Sequence, residues 1–212
     1  MNAHLAEHFD DPPQQKEAAM LGMWAFIATE VLFFGVLLAA YIVCRWRFPA
    51  GFADGSRHTD LLLGSIETAV LLASGCIMAV GLREIQLAKQ RSACLAIVIT
   101  AALGVAFLVL HGMEYVDEYH EGLIPTVRYL QNGTDADSME VFFCLYYVIT
   151  GLHSLHVLIG VVLLLVIAER TRRGHFSPHY YTPLEIAGLY WSLVDIVWIF
   201  VYPGIYLAGH SA

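Results

Sequence analysis

Five stretches of this chain are apolar for the length that crosses a bilayer, and polar segments separate them. They cover about residues 20–44, 61–82, 94–111, 139–168 and 186–208. A helix needs about 20 predominantly apolar residues to span the hydrocarbon core, so the pattern predicts an all-α bundle of five transmembrane helices. The fourth stretch is long enough to tilt or to project beyond the bilayer. Turn and charge signals mark the connections. Pro49, Gly51 and Gly55 punctuate 45–60, a short turn covers 83–91, an acidic loop with Pro125, Asn132 and Gly133 covers 115–138, and Pro178 and Pro183 fall in the basic segment 169–183. No internal repeat or low-complexity tract stands out. The economical division is a tail over 1–17 and one transmembrane domain over 18–212.

Basic residues orient the bundle. Five spans put the tail, the second loop and the fourth loop on one side, with Lys16, Arg83, Lys89, Arg91, Arg170, Arg172 and Arg173. Arg45, Arg47, Arg57 and Arg128 fall on the other. Seven against four favours a cytoplasmic N-terminus and an outside C-terminus. Composition agrees with lipid as the solvent. The chain is 58% hydrophobic and 14% charged, where a soluble domain carries about 25% charged residues. Many of its Tyr, Phe and Trp residues lie near the ends of the apolar runs, as an interfacial belt requires. A net charge of −8 argues against nucleic acid as a partner. Glu7, Asp10 and Asp11 give the first residues the wrong charge for a signal peptide. Cys44, Cys76, Cys94 and Cys144 stand singly and read as small buried apolar residues, with neither a zinc site nor a disulfide framework expected.

Candidate chemistry lies with ionisable residues inside the apolar runs, each costing about 2.5–3.5 kcal/mol at a helix centre and so requiring a partner or a wet cavity. Glu30, in the middle of the first run, is the sharpest case: its carboxyl is either neutral or paired with a donor on another helix. Glu67 reads as a helix-end carboxylate reaching the interface. His111 and Glu114 read as interfacial polar residues on one face at the end of the third helix. His153 and His156 are three apart on one helix. Bis-histidine haem needs ligands from opposite faces of the ring, so interhelical hydrogen bonding suits this pair better than haem or metal ligation. In the last run Trp191 and Trp198 flank Asp195, and the expected arrangement has their indole N–H groups satisfying its carboxylate. Pro203 is expected to kink the same helix. No catalytic residue and no metal ligand set is assigned. His4 and His8 in the tail, with ordinary pKa values near 6.5, are candidates for buffering protons.

The segments GMWAFIATEVLFF, ETAVLLASG, HGMEYVDEY, YYVITGLHSLHVLIG and LYWSLVDIVWIFVY follow one another in this order. That series resembles the subunit III family of cytochrome c oxidases over about residues 22–206, and the chain is similar to the shorter, five-helix members. The resemblance implies a non-catalytic subunit of a haem–copper respiratory oxidase in the cell's inner membrane, serving aerobic electron transport and proton translocation. It implies packing on subunit I, with subunit II in the same complex and the haem and copper held by those partners. It also implies no redox cofactor in this chain, bound phospholipid, and a contribution to proton uptake and to stability during turnover. Glu30 falls on the family's carbodiimide-reactive carboxylate, and Arg170 on a basic position that binds lipid phosphate. The chain departs from the family pattern at Glu67, where Asn is frequent, at Ser192, where His is frequent, and in its longer acidic stretch 117–140. Two other readings are an accessory subunit of a nitric oxide reductase and, in a different class, a proton-coupled transporter. A transporter would show inverted repeats or interrupted helices, and neither is evident apart from Pro203. A membrane cytochrome b would show a Soret band.

Overall fold

A computed structural model describes residues 9, 11–125, 128–129, 136–178 and 180–207. Six α-helices follow in order: α1 Pro12–Arg47, α2 Pro49–His58, α3 Leu61–Gln86, α4 Gln90–Glu121, α5 Ala136–Arg172 and α6 Thr182–Tyr202. A π-helical turn, Pro203–Leu207, continues α6. Between α4 and α5 the two-residue strands β1, Leu123–Ile124, and β2, Arg128–Tyr129, pair antiparallel. The helices α1, α3, α4, α5 and α6 with its π turn are each long and apolar enough to cross a membrane. The five-span reading therefore stands.

The ends of the helices follow from local chemistry. Helix α1 begins at Pro12 because Asp11 caps it, accepting from the Gln14 amide at 2.8 Å, with proline at its first positions. Beginning about two turns before the apolar run, α1 brings Lys16 within 2.9 Å of Glu185 at the start of α6. Asp60 caps α3 in the same way, accepting from the Leu62 and Leu63 amides. Helix α4 ends where Gly122 takes a left-handed conformation, φ 74°.

Two segments read as connections are helical instead. Pro49, Gly51 and Gly55 suggest a turn, yet 49–58 forms α2, which lies against the start of α5. The two glycines are four apart and so share a helix face. A Cβ on Gly55 would collide with the Phe142 ring, and one on Gly51 with Ser138. Here glycine permits close helix contact. The acidic stretch after His111 also continues α4 for ten further residues, from 112 to 121, because the helix tolerates Gly112 and no proline precedes Gly122. Pro203 does interrupt its helix, as a π turn, the form in which helices absorb an irregularity.

Helix α6 holds the centre. Trp191, fully buried, sits between Gly104 of α4 and Gly160 of α5. Small residues at these positions let the indole lie against both backbones, as in other membrane bundles. Helix α1 lies at the periphery. Only Met23, Phe34 and Tyr41 of α1 are buried, while Leu21, Leu32, Val36 and Trp46 are well exposed.

Alanine at Gly104 would place its Cβ 2.5 Å from the Trp191 ring, and at Gly22 it would meet nothing within 4 Å. Gly104→Ala is expected to cost about 1–3 kcal/mol through overpacking. Gly22→Ala should be neutral or slightly stabilising, since alanine is the better helix former. Thermal unfolding of the two variants in detergent checks this, and equal midpoints would contradict the packing described.

Candidate functional site

Three groups of described polar side chains, each crossing between helices, hold most of the ionisable residues singled out from the apolar runs. The first joins α1 to α5. Glu30 Oε2 lies 3.3 Å from His156 Nε2, with both side chains 17% exposed. The other ring nitrogen, Nδ1, is 2.7 Å from the Leu152 carbonyl. A carbonyl only accepts, so Nδ1 carries a hydrogen and Nε2 faces Glu30. The carboxylate and the ring thus face each other across the two helices, although Glu30 Oε2 has no hydrogen-bond partner among the described residues. Phe34 meets His156 edge-on, and Tyr190 donates to the His156 carbonyl at 3.1 Å.

His153 does not join this pair. Residues three apart are about 60° apart around a helix, enough for the two rings to part company. His156 turns towards α1, whereas His153 is fully buried in the centre, stacked on Trp198 at 5.0 Å between ring centroids. Phe107 meets His153 edge-on. Neither ring nitrogen of His153 has a hydrogen-bond partner among the described residues. The expected hydrogen bond between helices is thus made only at the His156 carbonyl, which accepts from Tyr190, and for His153 aromatic packing replaces it.

The second group lies between α6 and α3, and it corrects the reading of the last helix. Trp191 and Trp198 do not donate to Asp195. Trp191 Nε1 donates to Ser74 Oγ at 2.9 Å and Trp198 Nε1 to Thr68 Oγ1 at 3.0 Å, both on α3. Side chains on one helix face still diverge at their tips, and these indoles reach across to hydroxyls rather than back to their own helix. Asp195 is buried, with Oδ2 packed directly against Gly75. Its Oδ1 has no hydrogen-bond partner among the described residues.

The third group was misjudged from sequence. Glu67, His111 and Glu114 are not interfacial: none exposes more than 3% of its surface. His111 Nδ1 lies 3.5 Å from Glu67 Oε1 and 3.3 Å from Glu114 Oε2. Tyr206, in the π turn, donates to Glu114 Oε2 at 2.7 Å, and Tyr146 stands 3.4 Å further along, hydroxyl to hydroxyl. Glu118, one turn beyond Glu114, is buried too. The signal was present in the sequence, since 111, 114 and 118 recur at helical spacing. Ending the third span at its first histidine hides it.

Arg170 lines an open groove of about 520 Å³ on the outer face of α5, with Val162, Leu165, Val166, Glu169, Arg173 and His175. Glu169 is engaged by Arg172 at 2.7 Å and Arg173 at 2.6 Å. The groove is thus apolar along the helix and basic at its end. His4 and His8 lie outside the described residues.

A helical membrane bundle crossed by buried polar contacts is the class of protein these features define. Comparison with known proteins narrows it: residues 10–210 match the model of the family described as cytochrome c oxidase subunit III. The chain belongs to that family. It is 31% identical to cytochrome c oxidase subunit 3 of Thermostichus vulcanus, over 93% of this chain and 91% of that protein. It is 28% identical to quinol oxidase subunit 3 of Bacillus subtilis, over 90% and 87%. With cytochrome c oxidase subunit 3 of Paracentrotus lividus it shares 34%, over 88% of this chain and 68% of the relative.

The geometry separates the buried carboxylates by access. Glu30 sits on the peripheral helix beside the well-exposed Val31 and is itself part-exposed, while Glu67 is sealed. A hydrophobic carbodiimide applied to membranes is expected to modify Glu30 and leave Glu67 intact, as read by peptide mass spectrometry. Glu30→Gln should remove the modification and keep the fold, because an amide still donates and accepts. An unmodified Glu30, or preferential modification of Glu67, would contradict the placement of these side chains.

Proposed function

We propose that this chain is a non-catalytic accessory subunit of a haem–copper respiratory oxidase, seated on the catalytic subunit I in the cell's inner membrane with subunit II in the same complex. The family match over residues 10–210 carries the reading, and relatives named as subunits of both cytochrome c and quinol oxidases agree with it. Two features of the structure support it. The broad exposed apolar surface of α1 has room for both lipid and a partner helix. The two histidines of α5 turn to different neighbours, which does not suit a haem held between them. On this reading haem and copper reside in the partner subunits, and this chain binds none.

Its own contribution is to the surroundings of the catalytic subunit. Residues 18–212 act as one transmembrane domain, with tail 1–17 and the loop after α5 in the cytoplasm, as the basic residues favour. Arg170 binds a phospholipid phosphate at the basic end of the α5 groove, where a guanidinium supplies paired donors at headgroup level and Val162, Leu165 and Val166 accept an acyl chain. Glu30 and His156 form a protonatable contact within the membrane. His4 and His8 buffer protons on the uptake side. His153, Trp191, Asp195 and Trp198 hold the helices together.

Two experiments test the proposal. Cysteines placed by Ser177→Cys and Ser211→Cys should label from opposite sides of sealed vesicles, the first from the cytoplasm. Labelling of both from one side would contradict the topology. Deleting the chain from its native host should leave the partner haems assembled and initial oxygen reduction substantial. The losses should be slower proton uptake at high pH and progressive inactivation during turnover. Loss of haem spectra and of activity from the first turnovers, in an otherwise assembled complex, would make the chain part of the catalytic core.

A further inference from the structure

The cluster of Glu67, His111 and Glu114 is built unlike the other polar contacts of this protein. Those bring at most one carboxylate to a partner on another helix. Here three ionisable side chains converge, and their hydrogen bonding is incomplete. Both oxygens of Glu67, both ring nitrogens of His111 and Oε1 of Glu114 have no hydrogen-bond partner among the described residues, and all are buried. His111, 98% buried, points Nδ1 into the space between the two carboxylates. One ligand-type atom from each residue lies within 4.8 Å of the others.

We infer that Glu67, His111 and Glu114 form a buried binding site for one divalent first-row transition ion of the zinc class, sealed between α3, α4 and the C-terminal π turn. Three observations carry this. The first is spacing. Zinc–nitrogen and zinc–oxygen bonds of about 2.0–2.2 Å in a tetrahedron put neighbouring ligand atoms about 3.3–3.6 Å apart. The His111 nitrogen lies 3.5 and 3.3 Å from the two carboxylate oxygens. Hydrogen bonds between nitrogen and oxygen centre on about 2.9–3.0 Å, so these separations suit ligands around an ion better than groups bonded to one another.

The second is charge. Two carboxylates beside a neutral imidazole leave a net charge of −2 in an apolar interior, a costly arrangement. A divalent cation brings the unit to zero without protonating any ligand. Imidazole with carboxylate oxygen is also a donor set that borderline ions such as Zn2+ accept.

The third is support around the ligands. Tyr206 donates to Glu114 Oε2 at 2.7 Å, fixing that carboxylate as partners beyond the ligands of a metal site do. Phe107 stacks along His111, and Trp198 meets it edge-on, which holds the ring and excludes water. Three protein ligands leave a fourth position for the free oxygen of Glu114 or for a water. Bound there, the ion fastens α3 to α4 and, through Glu114 and Tyr206, anchors the π turn.

The site is independent of the oxidase assignment and can be tested on the full chain purified in detergent, which on the present reading carries no haem to mask its spectrum. After chelation and desalting, Co2+ is titrated in as an optical probe and then displaced by Zn2+. Wild-type protein should bind one equivalent, with the intense visible bands of a four-coordinate site, and should unfold at a higher temperature with the ion than without it. Tyr206→Phe should weaken binding by about 10-fold to 100-fold, the usual cost of losing a group that supports a ligand. Glu67→Gln, nearly isosteric, should lose the bands. X-ray absorption of the wild-type zinc form should show one imidazole with oxygen ligands and no sulfur, and this holds whether or not a variant folds. No stoichiometric binding by the wild-type chain would overturn the inference. So would a site of two or more imidazoles, or undiminished binding by folded Glu67→Gln, since either would move the ion elsewhere in the chain.

Discussion

The indole of Trp191 sits where four helices meet, and the packing of the bundle depends on it. It projects from α6 into a slot that exists only because Gly104 of α4 and Gly160 of α5 lack side chains. Its N–H reaches a third neighbour, Ser74 of α3. Lipid tails are as apolar as any core residue, so helices in a bilayer associate through fit and hydrogen bonding rather than through expulsion of water. One large ring in two small-residue slots supplies the fit, and the indole bond supplies direction. Trp198, almost two turns later, repeats the bond to Thr68 and offers its ring to His111 and His153. The central helix is thereby fixed against three others along one face.

That rigidity sets where the polar groups stand. Glu30, on the peripheral α1, faces His156 at 3.3 Å beside exposed apolar residues. Glu67, His111 and Glu114 lie buried beside the Trp198 ring, closed off by Phe107 and by Tyr206. The two acidic sites thus differ in access, and the inner one holds a second carboxylate. The outer one suits exchange with its surroundings and the inner one suits a permanent structural link. Helix α1 carries the outer site on a face that the rest of the chain leaves largely uncovered, where a subunit meant to serve another protein would present its working surface.

Much of this was legible in the sequence, because a bilayer reduces topology to the length of apolar runs. The five spans and the interruption at Pro203 both follow from that one constraint. Hydropathy was silent about where a helix stops when its end is polar but unbroken. Helix α4 therefore seemed to end near His111, and His111, Glu114 and Glu67 seemed interfacial, when continuing helix and flanking aromatic rings bury all three. Helical spacing also shows which residues share a face but not where long side chains end. The tips of Trp191 and Trp198 turn away from Asp195 to hydroxyls of α3, and His153 and His156 separate despite their spacing. Glycine was read as a turn former at Gly51 and Gly55, although its lack of a side chain served packing against α5.

The central claim is that this chain serves a haem–copper enzyme without carrying its chemistry, and one purification tests it most directly. The chain is tagged in its native host, membranes are solubilised gently, and the tagged material is characterised by reduced-minus-oxidised spectroscopy and protein identification. The expected result is a haem–copper catalytic subunit in equal amount with the tagged chain, haem bands that follow that subunit, and no haem on the tagged chain once the complex is dissociated. A tagged chain that purifies without any haem–copper subunit, or that retains haem by itself after dissociation, would contradict it.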